Sequence, residues 1–173
     1  MKSLPMQETA LTNFHPAVQR WFLRTLGNPT PIQVEAWNAL SENRHALISA
    51  PTGEGKTLAG FLAIIDDLVK CAVAGKNIRR SREDALRGSA SPVTSLFPGA
   101  RILYISPLKA LSNDIEKNLQ IPLRGIQHEL EKDGIDIDEI HAMVRTGDST
   151  ASERAKLVRL KPQIVVTTPE SLY

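Results

Sequence analysis

A chain of 173 residues, 42% hydrophobic, with a mean hydropathy of -0.18, is long enough for one domain with a real core. Its net charge of +2 does not by itself require a polyanionic partner, so the placement of charge matters more than its sum. No apolar run approaches the ~18 residues of a membrane span. The start, Met1-Lys2-Ser3-Leu4-Pro5, lacks the apolar centre of a secretion signal, and the single cysteine, Cys71, excludes an internal disulfide. These features point to a reducing, cytoplasmic setting and no membrane partner.

Residues 1–12 read as a flexible leader, and the domain proper runs over 13–173. Phe14 to Leu26 has Val18, Trp21, Phe22 and Leu26 at helical spacing, with Gly27 suited to end the helix. Thr30 caps a second helix whose first turn accommodates Pro31, and Ile32, Ala36, Trp37 and Leu40 form its apolar side.

Next, the apolar run His45-Ala46-Leu47-Ile48-Ser49 predicts a strand that leads into Ala50-Pro51-Thr52-Gly53-Glu54-Gly55-Lys56-Thr57. Strand, glycine-rich turn, Lys-Thr and helix in that order define a phosphate-binding loop. Gly53 and Gly55 let successive N–H groups turn inward toward a phosphate, and the new helix adds the positive end of its dipole. Pro51, Thr52, Gly53, Glu54, Gly55, Lys56 and Thr57 are therefore the candidate nucleotide ligands. Lys56 is the charge for the β- and γ-phosphates, and the Thr57 hydroxyl is the ligand for Mg²⁺; both are candidate catalytic residues. Ala50 stands where the usual pattern has glycine. The following helix carries Leu58, Phe61, Leu62, Ile65, Leu68, Val69 and Ala72 on one stripe.

Residues 75–100 combine Lys76, Arg79, Arg80, Arg82 and Arg87 with Gly-Ser-Pro segments and read as a long surface loop, either solvated or touching a phosphate backbone. Three further strands are predicted: Arg101–Ser106, Ile140–Val144 and Gln163–Thr167. Between them lie a helix from Leu108 that Pro122 interrupts and a short helix over Ser152–Leu160, capped by Ser149 or Thr150. Another helix starts at Pro169. Strands alternating with helices predict an α/β fold with a mainly parallel sheet, and ligands at the strand C-termini.

Several segments carry a family resemblance. Gly27-Asn28-Pro29-Thr30-Pro31-Ile32-Gln33 resembles the Q-motif of superfamily 2 helicases. Gln33 offers both a donor and an acceptor to an adenine edge. Phe14 is placed either to stack on the base or to pack in the core against Trp37. Tyr104-Ile105-Ser106-Pro107-Leu108-Lys109 looks like motif Ia of the large helicase-related (Lhr) proteins. Arg145-Thr146-Gly147-Asp148 resembles their next strand-end motif, and Thr167-Thr168-Pro169-Glu170 resembles motif Ib.

The resemblance implies a P-loop NTPase (RecA-like) domain, incomplete at its C-terminus. It further implies ATP and Mg²⁺ as cofactors and single-stranded DNA or RNA as partner. Ser106, Pro107, Lys109, Thr146, Gly147, Thr168 and Pro169 would be the nucleic-acid contacts. It also implies an Asp-Glu-x-His box, a coupling motif and a second motor domain with arginine fingers, none of which lies within these residues. The chain is thus expected to be a helicase fragment with little ATPase of its own. A protein-translocase motor and a passive nucleic-acid-binding fragment remain as alternatives.

Overall fold

In the computed structural model, residues 10–42, 44–85, 99–106 and 109–172 are described. They form, in chain order, α1 (Pro16–Leu26), α2 (Pro31–Ser41), α3 (Lys56–Ala85), β1 (Ile102–Ile105), α4 (Lys109–Lys132), β2 (Ala142–Arg145), α5 (Ala151–Leu160), β3 (Ile164–Thr167) and a 3-10 turn at Pro169–Ser171. The chain divides into two compact units, Met1–Cys71 with Gly125–Ile135, and Ala72–Arg124 with Asp136–Tyr173, so α3 and α4 contribute residues to both.

The first unit is helical. The apolar spacing read from the sequence places Val18, Phe22, Leu62, Ile65, Ile126 and Leu130 in its core. Trp37 sits at the centre. Its ring meets Phe14 edge-on at 5.0 Å and Phe22 at 5.4 Å, and its indole N–H donates to the Ala59 carbonyl at 2.9 Å. Buried Asp66 accepts from the His15 N–H at 2.6 Å and pairs with Lys70 at 2.6 Å. Burial pushes its pKa up despite these partners.

Glu129 is also buried, with its carboxylate surrounded by cations: Lys132 at 2.9 Å, Arg20 at 3.3 Å, and Arg24. The hydrogen bond from Lys132, followed by those from Arg20 and the charge of Arg24, lowers its pKa from 4.5 to about 2. Because the folded value lies below the unfolded one, this carboxylate stabilises the fold above pH 4.5, and that contribution is lost as pH falls toward 2. Melting temperature measured against pH should therefore drop across this window. Glu129→Gln should flatten the drop, and an unchanged profile in that variant would show the cluster to be inert.

The second unit holds the sheet, in the order β1-β3-β2, with both pairs parallel. Ile102 and Ala142 both register with Ile164. The central strand β3, Ile-Val-Val-Thr, is buried along its length, as an apolar run covered on both faces should be. Thr150 caps α5. Its hydroxyl accepts from the Glu153 N–H at 3.2 Å and the Glu153 carboxylate accepts from the Thr150 N–H at 2.7 Å, completing a capping box from Thr150 rather than Ser149.

Four expectations need correction. His45–Ser49 forms no strand, and Leu47 is 96% exposed. A strand needs a neighbour for its N–H and C=O groups, and the described sheet contains only β1, β3 and β2. The loop expected from residue 75 is helical as far as Ala85, while residues 86–98 lie outside the described set. Pro122 lies inside a continuous α4 instead of interrupting it. A proline costs a helix interior about 3 kcal/mol, but burial of Leu119, Leu123, Ile126 and Leu130 at roughly 1.5–3 kcal/mol each outweighs that. Of the expected leader, residues 1–9 lie outside the described set, and Ala10 and Leu11 are buried.

Candidate nucleotide and nucleic-acid sites

The phosphate loop belongs to the first unit. Gly53 and Gly55 both adopt the left-handed region, with φ of 94° and 81°. This is the backbone that turns consecutive N–H groups to one side. Lys56 opens α3, and the first intrahelical bond there runs from the Ala59 N–H to the Gly55 carbonyl at 2.9 Å. The Lys56 ammonium donates to the carbonyls of Ala50 and, at 2.6 Å, Pro51. Carbonyls hold a cation without cancelling its charge, so the ammonium stays available to an anion. Pro51, Thr52, Gly53, Glu54 and Thr57 are all exposed. This backbone, the uncancelled cation and the free-standing Thr57 hydroxyl fit a magnesium–nucleotide tail.

The upstream segment is tied directly to this loop. The Thr30 hydroxyl donates to the Glu54 carbonyl at 3.1 Å. Gln33 is only 5% exposed; its side-chain carbonyl accepts from the Thr30 N–H at 2.9 Å, and its amide nitrogen lies over Gly55. A Cβ on Gly55 would stand 2.5 Å from that nitrogen. Gln33 thus shapes the loop, a role its residue type did not announce. Phe14 is 7% exposed and packed on Trp37. Of its two sequence readings the geometry shows the core one, because so little of the ring faces outward to stack on a base.

The strand-end cluster belongs to the second unit. Ser106 and Thr168 are fully buried and Thr146 is 8% exposed. The Ser106 N–H donates to the Thr167 carbonyl at 2.8 Å, the Thr146 N–H to the Ser149 hydroxyl at 3.0 Å, and the Thr168 and Ser171 hydroxyls pair at 3.3 Å. As placed, these three residues hold the strand ends together and do not present hydroxyls to a ligand. Gly147 is exposed and Pro169 partly so. Pro107 lies outside the described residues, and Lys109 opens α4. Sequence reasoning assigned no role to Arg145, yet its guanidinium donates to the Ser171 carbonyl at 2.9 Å while its own carbonyl accepts from the Thr167 hydroxyl at 2.6 Å. It fastens β2 to the turn after β3. Its place inside the Arg-Thr-Gly-Asp string was the available signal.

A parallel sheet carrying hydroxyl- and glycine-rich strand ends, in a chain with a phosphate loop, defines a RecA-like α/β fold. The sequence matches the DEAD/DEAH box helicase family over residues 30–173, and the chain belongs to that family. It is 46% identical over 160 residues to the Lhr helicase/uracil glycosylase of Escherichia coli, covering 92% of this chain and 9% of that protein. It is 41% identical over 155 residues to the ATP-dependent helicase Lhr-Core of Methanocaldococcus jannaschii, covering 90% of this chain and 16% of that protein. The structure of Mycobacterium smegmatis helicase Lhr bound to ssDNA and AMP-PNP superposes with a TM-score of 0.74 at 38% identity, covering 94% of this chain and 18% of that one. The chain thus spans less than a fifth of the length of each of these relatives.

Proposed function

We propose that this chain is the ATP-binding front part of the first motor domain of a helicase or translocase that acts on single-stranded DNA or RNA. The observation that carries the reading is the loop itself: two glycines of positive φ, then Lys56 and an exposed Thr57 at the start of α3. Backbone N–H groups of Gly53 to Lys56 would cradle the phosphates, Lys56 would stabilise the terminal one, and Thr57 would hold Mg²⁺. The metal, when bound, neutralises phosphate charge. The Gln33 amide nitrogen, beside Gly55, would donate to adenine while its oxygen caps α2. The strand-end loops, with Gly147 and Pro169 outermost, would track the strand backbone on a frame held by Ser106, Thr146 and Thr168. Similarity to helicases favours a nucleic-acid track over the polypeptide track of a preprotein motor. A cytoplasmic location fits this role, and no described helix is long and apolar enough to cross a membrane.

In the full-length protein, Lys56→Ala should lower strand-stimulated ATP turnover by roughly a hundredfold or more, with the circular dichroism spectrum unchanged. Turnover equal to wild type in that variant refutes the reading.

A further inference from the structure

Helix α5 buries none of its ten residues. Leu157 and Leu160 are half-covered on one side, and Val158 is 71% exposed on the other. At about 100° per residue, Ala151, Ala155 and Val158 share the outward face. Arg154 flanks it on one side, Lys156 and Arg159 on the other, and Lys161 follows the last turn in a left-handed conformation. The one acid of the helix, Glu153, is turned back into the capping box, where the Thr150 N–H and hydroxyl lower its pKa. Among the described residues none of these four cations pairs with a carboxylate. Arg20, Arg24, Arg44, Lys70, Lys76 and Lys132 each do. A helix whose three cations, with Lys161 just after it, face no described carboxylate partner and whose outward side buries nothing suits an anionic surface rather than its own core.

We propose that the outward face of α5, carried by Arg154, Lys156, Arg159 and Lys161, is a second contact for a phosphodiester backbone. It lies beyond the strand-end loops, and the inference rests on reading those loops as the nucleic-acid site. Continuity favours this ligand. The helix begins directly after the Arg145–Thr150 loop, and the Arg154 guanidinium donates to the carbonyl of exposed Gly147 at 3.2 Å. A backbone leaving Gly147 would meet the cations next. The helix is ~15 Å long, enough to lie along more than one phosphate of a strand. That backbone is the single strand continuing from the strand-end loops.

The test uses the full-length protein with Lys156→Ala and Arg159→Ala together, leaving Arg154 to brace Gly147. Binding of oligo-dT and of a tailed duplex is measured across a salt series. Loss of two phosphate contacts should weaken binding about tenfold and make the slope of log K against log salt shallower by about 1.4 for single strand or 1.8 for duplex. A slope that changes on the tailed duplex and not on oligo-dT overturns the proposal. Lys156→Arg with Arg159→Lys should restore the slope, and nucleotide-analogue affinity should stay at wild type in both variants. Slopes unchanged for both probes overturn the proposal and leave the face to an acidic protein partner. If the wild-type protein binds neither probe, the strand-end reading fails and this inference fails with it.

Discussion

Gly55→Ala is expected to abolish nucleotide binding. At φ of 81° an alanine is strained by about 1–2 kcal/mol, and its Cβ would meet the Gln33 amide nitrogen at 2.5 Å. Gln33 cannot simply swing aside, since it is buried and its oxygen caps α2. The loop must therefore open or move off its helix, and each 1.4 kcal/mol of that rearrangement costs about a factor of ten in affinity. Gly53→Ala is the comparison: φ is 94° there, but nothing lies within 4 Å of the added carbon. It should suffer the strain alone and lose less. Gln33→Ala should be less damaging in the Gly55→Ala background than by itself, a non-additivity that reports their contact. Titration of the full-length protein with a non-hydrolysable nucleotide decides the matter, and wild-type affinity in Gly55→Ala would contradict the geometry.

The second large effect concerns the packing of two helices. A Cβ on Gly125 would fall 2.1 Å from the indole nitrogen of Trp21 and 2.2 Å from its Cδ1. Trp21 is buried, so α1 must shift or the ring must leave its rotamer. In an open helix, Gly→Ala gains about 1 kcal/mol. Here overpacking of about 1–3 kcal/mol or more opposes that gain, so Gly125→Ala should lower the melting temperature by several degrees. Gly60→Ala, in the interior of α3 with nothing within 4 Å of its would-be Cβ, should raise it. The opposite signs of two identical substitutions are the check. A rise in both would mean that Gly125 is not a close approach.

The loop and the three sheet strands were legible because their signals are local. Glycines before Lys-Thr and short runs such as Ile164–Thr167 need no distant partner to be recognised. What failed to read out depends on contacts far apart in sequence. Gly125 shows nothing about Trp21, 104 positions earlier, and nothing in the residue type of Gln33 showed that it would also pack on Gly55, a tertiary contact. The serine and threonine hydroxyls of the strand ends were rightly gathered at one end of the sheet. Residue type could not reveal that Ser106 and Thr168 would be buried there. Pro122 reads as a breaker locally and is overruled by the apolar residues on either side of it. His45–Ser49 is the converse case: its composition is that of a strand, but a strand is a property of a pair.

One edge of β1 bonds to β3, and no described strand lies along the other, where Leu103 and Ile105 are 53% and 48% exposed. An edge strand with exposed apolar side chains such as Leu103 and Ile105 is the kind of surface to which an extended peptide can add, including the same segment of a neighbouring molecule. Two exposed aliphatic side chains on a four-residue strand are an aggregation hazard at high concentration, and Leu103→Lys would be the simplest gatekeeper against it.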